Sequence, residues 1–271
     1  MTLTGDWFEL LIGMLFGTLV LLLAATPAPA GQFDKEIHEM VFRDDTLFRE
    51  KLRSAMERYV DNPESVSVSL TPHDKGKMLA GHFKEIRIEM KEALVKNLLI
   101  EKAIIHLYDP VVDYEALLAR RKFRFKHQGR AECLLVVQEK ALNDLFHIKR
   151  KKLKVRNPRI DFRRGHIRFS GSIRTLFCNQ KVRVAGVLVP KPGGQVHFHP
   201  RWLNIGILPI PRFILRTVAR RVNPIATFDA FSFDLSLGAI ETTDDRIYIS
   251  SAGFHEEALL LAKSHKASSV D

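Results

Sequence analysis

The residues best suited to binding chemistry lie in the segment 207–224. Arg212, Arg216 and Arg220 recur every four residues, so on a helix they occupy one narrow sector. Arg221 falls outside that sector, in the last turn of the same predicted helix. The apolar residues cover more than half of the helix circumference: Ile210, Phe213, Ile214, Leu215, Val218 and Val222. The segment therefore predicts a helix with a basic stripe and a broad apolar face.

The width of this apolar face allows two interpretations. A stripe that only packs against a sheet is usually narrower, about 100°. The wider face favours a second apolar neighbour, either more protein or acyl chains, and Arg221 would then meet a lipid phosphate. The alternative is ordinary core packing, with Arg221 extending beside the negative C-terminal end of the helix.

A second basic segment covers residues 149–168. Its basic residues are interleaved with apolar ones such as Leu153 and Phe162, a pattern that predicts strand with one positive face. Each basic residue near an anionic bilayer contributes about 1 kcal/mol to attraction. The alternative is a solvated edge strand whose charge discourages pairing with another sheet. The candidate membrane-surface contacts at its start are Lys149, Arg150, Lys151, Lys152 and Lys154.

Catalytic motifs are missing from the sequence. It contains no Gly-x-Ser-x-Gly, no His-Glu-x-x-His, no P-loop and no Gly-x-Gly-x-x-Gly after a strand. His197 and His199 could share an ion, but no Cys, Asp or Glu accompanies them, which favours a solvated strand face. Asp109, Asp113 and Glu115 bracket a helix start, where carboxylates act as caps. We therefore expect no enzyme, no catalytic residue, no metal and no cofactor.

Composition limits the class of partner. The 271 residues are 46% hydrophobic, which is enough for a packed core. The net charge of +11 predicts attraction to polyanions, whether nucleic acid, anionic lipid or acidic glycan. The two cysteines, Cys133 and Cys178, exclude a disulfide-dense scaffold and a four-cysteine zinc site. One disulfide and two buried thiols both remain open.

The N-terminal residues 1–30 are typical of a signal peptide or a membrane anchor. Residues 10–25 are free of charge, and Ala28-Pro29-Ala30 has the form that signal peptidase accepts. Asp6 and Glu9 replace the usual positive flank, and counting from Trp7 the run approaches the lower length for a span. A soluble core helix is the third alternative. The first two readings place the protein in the cell envelope, periplasmic or extracytoplasmic, with residues 7–25 as the anchor if it is retained.

The remaining chain predicts an α+β fold. Residues 31–62 have helical periodicity, from Ile37 to Tyr59. Residues 63–252 predict about eight to ten short antiparallel strands with two or three shorter helices, and residues 253–271 a frayed helix and tail. A sheet with so few helices must curl or leave a groove to cover its apolar face.

The order of these motifs resembles the LmeA-like phospholipid-binding family of bacterial envelope proteins. The resemblance covers residues 64–251 and includes "VSVSL", "GHFKEIRIEM", "RIDFRRGHIRFSGSI", "VHFHPRWLNIGILPIP" and "VNPIATFDAFSFDLSLGAIETTDDRIYISS". It implies a TULIP-like fold, in which a curled antiparallel sheet wraps a long helix and leaves an apolar channel. It also implies binding without catalysis, so no catalytic residue is carried over.

The sequence therefore predicts non-enzymatic binding, or transfer, of a phospholipid or similar amphiphile at an anionic membrane surface. Headgroup contacts would come from the basic segment and from Arg212, Arg216, Arg220 and Arg221. The alternative is an envelope scaffold that binds an acidic glycan or a protein through its basic hairpin. Nucleic acid is disfavoured, because the scattered aromatics form no stacking platform. The candidate groove residues are Ile207, Ile210, Phe213, Ile214, Val218, Phe228, Phe231, Phe233 and Leu235.

Overall fold

The computed structural model describes eight stretches of the chain: residues 33–42, 45–57, 60–95, 98–120, 122–149, 156–174, 179–227 and 236–268. The predicted signal peptide or anchor, residues 1–30, lies outside them. Among the described residues, no helix is both long enough and apolar enough to cross a membrane.

The structure is α+β with antiparallel sheets, as the sequence predicts. The helices are α1 (Asp34–Phe42), α2 (Asp45–Met56), α3 (Lys75–Leu79), α4 (Tyr114–Arg120), α5 (Glu139–Lys149), α6 (Arg212–Val222) and α7 (His255–Ser268), and a short 3-10 helix covers Ala252–Phe254. The strands are β1 (Ser65–Pro72), β2 (Phe83–Val95), β3 (Leu98–Tyr108), β4 (Val111–Val112), β5 (Phe125–His127), β6 (Arg130–Gln138), β7 (Arg156–Arg163), β8 (His166–Arg174), β9 (Asn179–Lys191), β10 (Gln195–Ile205), β11 (Leu208–Pro209), β12 (Ala226–Thr227), β13 (Ala239–Thr242) and β14 (Arg246–Ser250).

Two sheets carry most of the strands. Sheet I has the order β1-β2-β3-β6-β14-β13, and sheet II has the order β11-β10-β9-β8-β7 with β12 beside β10. The alternating "SVSVSL" pattern forms β1 as predicted, and Val68 pairs with Ile88 of β2. In the basic segment, the predicted hairpin is confirmed from Arg156 onward, since β7 pairs with β8 around Arg163 and His166. Lys149 was predicted as strand but ends helix α5, and residues 150–155 lie outside the described chain. Neighbours along the chain thus supply most of the pairings, and β14 returns from far along the sequence to β6.

Sheet I is covered on both faces. On one face, Phe48 and Leu52 of α2 pack with Ile86 and Ile88 of β2. On the other face, Ile104, Leu134 and Tyr248 pack with Phe254 and with Ala258 of α7. Residues 253–271, predicted as a frayed helix and tail, therefore include a helix with a buried contact to the sheet.

The predicted long N-terminal helix is not a single element. Residues 31–62 contain α1 and α2, of 9 and 12 residues, on either side of residues 43–44, which the structure does not describe. Neither sheet closes on itself, and no long helix is wrapped by a sheet in the described part of the chain. Helix α2 instead packs its apolar residues against one face of sheet I.

The Cys133 thiol is buried on β6. The backbone N–H of Cys133 donates to Ser251 Oγ at 2.8 Å, and the backbone carbonyl of Cys133 accepts the Ser251 N–H at 2.9 Å. The thiol is free, and burial raises its pKa to about 12. Cys178 lies outside the described residues. A raised pKa leaves the nucleophilic thiolate scarce at neutral pH.

We expect Cys133 to resist alkylation while the protein is folded. In a Cys178→Ser chain at pH 8, iodoacetamide should modify Cys133 slowly, and rapidly after denaturant is added. The folded state holds the thiol neutral, so its protection should decline only as the pH approaches 12. Mass spectrometry of the alkylated peptide measures both rates. Equal rates with and without denaturant would contradict the buried position.

Candidate functional site

A group of large apolar side chains lies on the surface where sheet II meets α6. Gly206 makes the turn after β10 with φ +64°, and its N–H donates to Lys181 O at 2.7 Å. Beyond this turn, Ile205 pairs with Leu208 and the chain enters α6. The exposed fractions are 95% for Ile207, 67% for Leu208, 72% for Phe213 and 37% for Ile214. We call these four residues the apolar tip.

Helix α6 buries only part of its apolar face among the side chains that the structure describes. Leu215 is buried, whereas its neighbours Phe213 and Ile214 are exposed. At its C-terminal end, Asn223 binds β10 on both sides of Phe198: the Phe198 N–H donates to Asn223 Oδ1 at 2.7 Å, and Asn223 Nδ2 donates to Phe198 O at 2.9 Å. The helix is therefore anchored to the sheet while part of its apolar surface faces water.

The predicted arginine stripe lies beside the tip on the same helix. Arg212, Arg216 and Arg220 are all exposed. Arg221 and Val218 belong to α6, but their side chains lie outside the described part of the structure. The surface thus combines uncovered hydrocarbon with at least three cationic side chains, whose planar guanidinium groups can bind phosphate through two parallel hydrogen bonds.

The structure brings together part of the predicted site. Ile207, Phe213 and Ile214 face outward with the arginines, and Ile210 is half-buried, its N–H donating to Leu203 O at 2.8 Å. Lys149 ends α5, with its side chain undescribed. The lining of a groove by these residues stays a prediction. The predicted residues that lie outside the described chain are Phe228, Phe231, Phe233, Leu235, Arg150, Lys151, Lys152 and Lys154.

An apolar cavity of about 270 Å³ lies elsewhere, between α1, α2 and the end of sheet I. Its walls include Met40, Leu70 and Met78 together with an aromatic cluster. In that cluster, Phe48 stacks on Phe83 with ring centroids 4.8 Å apart. The volume is close to the lower end of small-molecule pockets, about 300 Å³. Sequence reasoning missed this cavity, because the side chains that line it come from elements far apart in the chain.

Among the carboxylates and histidines considered from sequence, Asp113 and His197 have hydrogen-bond partners in the structure. The Ala116 N–H donates to Asp113 Oδ1 at 3.1 Å, which confirms Asp113 as the cap of α4. Asp109 does not cap a helix, and instead occupies the turn after β3 with φ +51°. His197 Nε2 lies 3.0 Å from Gln195 Oε1. Partial burial lowers the His197 pKa, and Lys191 and His199 lower it further.

No family model, curated protein or solved structure matches this chain.

Proposed function

We propose that this protein binds phospholipid or a similar amphiphile without catalysis, and that it does so while docked on an anionic membrane. The observation that carries the proposal is the apolar tip with three exposed arginines beside it. Burial of a large apolar side chain is worth about 1.5–3 kcal/mol, so the tip gains free energy by entering a bilayer interface. The arginines gain at the same time from phosphate groups at the interface.

The charge of the whole chain supports this partner. The net charge of +11 attracts the protein to an anionic surface from a distance set by salt screening. The exposed Arg163 and Arg164 of the β7–β8 turn add basic residues on sheet II. A partner bound by charge alone would leave Ile207, Leu208 and Phe213 exposed to water.

The proposal includes a place for the acyl chain and a place in the cell. The LmeA-like resemblance proposes a groove beside α6, in a TULIP-like arrangement, and the cavity beneath α1 and α2 is a second candidate for an acyl segment. The apolar residues 10–25 would direct the protein to the cell envelope as a signal, or hold it there as part of an anchor.

A scaffold role through the basic hairpin is the second candidate. Strand β7 forms an edge of sheet II and turns Ile160 and Phe162 inward. Arg159 faces outward on the same strand and pairs with Asp161 at 2.8 Å. A single positive face on an edge strand suits an acidic glycan or protein. Replacement of Arg163 and Arg164 by Glu should abolish such binding and leave docking through the tip intact.

The membrane proposal is tested by measuring where the tip lies in a bilayer. We expect a tryptophan placed by Phe213→Trp in the full chain to be quenched by brominated lipid in anionic vesicles. Vesicle binding by itself would not test the tip, because residues 10–25 can bring the whole chain to a vesicle. Quenching is therefore measured at a single tryptophan position within the tip. Replacing Arg212, Arg216 and Arg220 by Gln should weaken insertion of the tip by roughly a hundredfold, at about 1 kcal/mol per arginine.

The matched control is Leu260→Trp, another exposed apolar position, on α7. It should show little quenching in the same vesicles once the signal of the parent chain, with Trp7 and Trp202, is subtracted. Equal quenching at both positions, or none at position 213, would contradict docking through the tip. Lipid extraction from the gently purified full chain then identifies the bound amphiphile.

A further inference from the structure

Three metal-ligating side chains meet at one end of sheet I. His73 follows the last residue of β1, His82 precedes the first residue of β2, and Asp109 follows the last residue of β3. Because β1, β2 and β3 are consecutive antiparallel neighbours, these three chain positions lie at the same end of sheet I. The pairings Pro72 with Phe83 and Glu85 with Tyr108 show this directly.

The donor atoms of the three side chains are close together. The ring centroids of His73 and His82 lie 4.7 Å apart, and His73 Nε2 lies 3.5 Å from Asp109 Oδ1. One ligand atom from each residue lies within 4.8 Å of the other two. No other such grouping of three His, Cys, Asp or Glu residues occurs in the part of the chain that the structure describes.

His73 Nε2 is the second reason to consider a ligand. The atom is shielded from solvent and makes no hydrogen bond to a described residue, although Asp109 Oδ1 lies 3.5 Å away. A buried polar atom that makes no hydrogen bond is uncommon in native proteins. Asp109 is 71% exposed at the side chain against 16% for His73, so the cluster is open to solvent on the aspartate side. An ion could enter there, and water could complete its coordination.

Backbone hydrogen bonds hold the cluster in place at His82 and at Asp109. The Asp109 N–H donates to Lys84 O at 2.8 Å, and the Phe83 N–H donates to Pro110 O at 3.0 Å. The His82 N–H donates to Lys77 O at 2.9 Å. The nearby Asp74 is engaged elsewhere, as it accepts the Lys77 N–H at 2.9 Å to cap α3. Asp109 is thus the carboxylate available to the two imidazoles.

We propose that His73, His82 and Asp109 bind a divalent transition-metal ion of the zinc type. Two imidazoles and one carboxylate form a suitable donor set, with water as a further ligand. Tetrahedral coordination at about 2.0–2.1 Å places ligand atoms roughly 3.4 Å apart. The 3.5 Å between His73 Nε2 and Asp109 Oδ1 is already close to that spacing. The ion would tie the ends of β1, β2 and β3 together. Because His73 also lines the apolar cavity, the bound ion would hold one wall of that cavity in place.

The test is a titration of the full chain with Co²⁺, followed by visible absorption, and competition with Zn²⁺. We expect one site with the spectrum of nitrogen and oxygen ligands, without the bands of thiolate ligation, and a higher melting temperature with Zn²⁺ bound. Asp109→Asn and His82→Ala should each weaken Co²⁺ binding by at least about tenfold, because each removes a direct ligand.

Two choices of variant keep the result decisive. Asp109→Asn keeps the shape of the side chain, and asparagine tolerates the positive φ of 51° at this turn, so the fold should survive even if His82→Ala does not fold. His199→Ala is the matched control, since it removes an exposed histidine of β10 next to His197. Three results would overturn the proposal. They are Co²⁺ binding that survives Asp109→Asn, Co²⁺ binding that is lost with His199→Ala, and no Co²⁺ binding by the parent chain.

Discussion

Phe48→Ala should lower the free energy of unfolding by about 3–5 kcal/mol, the cost of removing a buried phenylalanine from a core. Phe48 is buried and lies between two other rings. It stacks on Phe83 of β2 at 4.8 Å and meets Tyr114 of α4 edge-on at 5.7 Å. The side chain therefore joins α2 to sheet I and forms part of the cavity wall, and its loss leaves a void that the stacked rings cannot close.

The measurement is equilibrium denaturation in urea, with far-UV circular dichroism as the signal. Phe213→Ala is the matched control, since it removes the same side chain from a position that is 72% exposed. We expect that control to change the free energy of unfolding by at most about 0.5 kcal/mol. Insertion of the apolar tip into anionic vesicles should show the reverse order. Phe213→Ala should weaken that insertion, and Phe48→Ala should leave it unchanged. Similar destabilisation by both would mean that α2 does not pack on sheet I as described.

Gly129→Ala should also be strongly destabilising, by about 2–5 kcal/mol. Gly129 has φ +67°, where an L-residue costs about 1–2 kcal/mol. A Cβ at this position would lie 1.9 Å from Tyr108 O and 3.0 Å from the Asp109 carbonyl carbon. Backbone atoms on both sides must then move, which adds about 1–3 kcal/mol of overpacking.

Gly165→Ala separates the two causes of this cost. Gly165 has nearly the same φ, +68°, but a Cβ there would meet nothing within 4 Å. We expect Gly165→Ala to cost only about 1–2 kcal/mol, from the backbone conformation alone. Thermal and urea unfolding of the two variants give the difference. Equal costs would show that the chain at Tyr108 moves aside, and would contradict the close approach of Gly129 to the end of β3.

Short-range patterns accounted for much of the fold. Strict alternation predicts β1 and β2, and the Arg163-Arg164-Gly165 turn predicts the β7–β8 hairpin, because the partner strand follows within a few residues. The single N-terminal helix was wrong, since the periodicity of α1 and α2 continues across residues 43–44 and periodicity alone does not mark a boundary. The wrapped long helix came from the resemblance alone, and the described residues instead show α2 packed on one face of sheet I.

The candidate site was only partly predictable. The spacing of Arg212, Arg216 and Arg220 places them on one side of α6 whatever surrounds it, and the structure shows them exposed. Whether Phe213 is covered cannot be read from spacing, because coverage depends on what sheet II presents to α6. The broad apolar face predicts a second apolar neighbour, and the described structure instead leaves Ile207 and Phe213 open to solvent.

The sequence by itself determined the element types, the inward and outward faces of strands such as β1, and the basic character of the protein. These follow from side-chain period and composition, which are local properties. Only the tertiary structure decided that Leu134 of β6 pairs with Ser250 of β14 and that α7 packs on sheet I. It also decided that His73, His82 and Asp109 lie close together. Those contacts join residues far apart in the chain, and their choice depends on the free energy of the whole packed core.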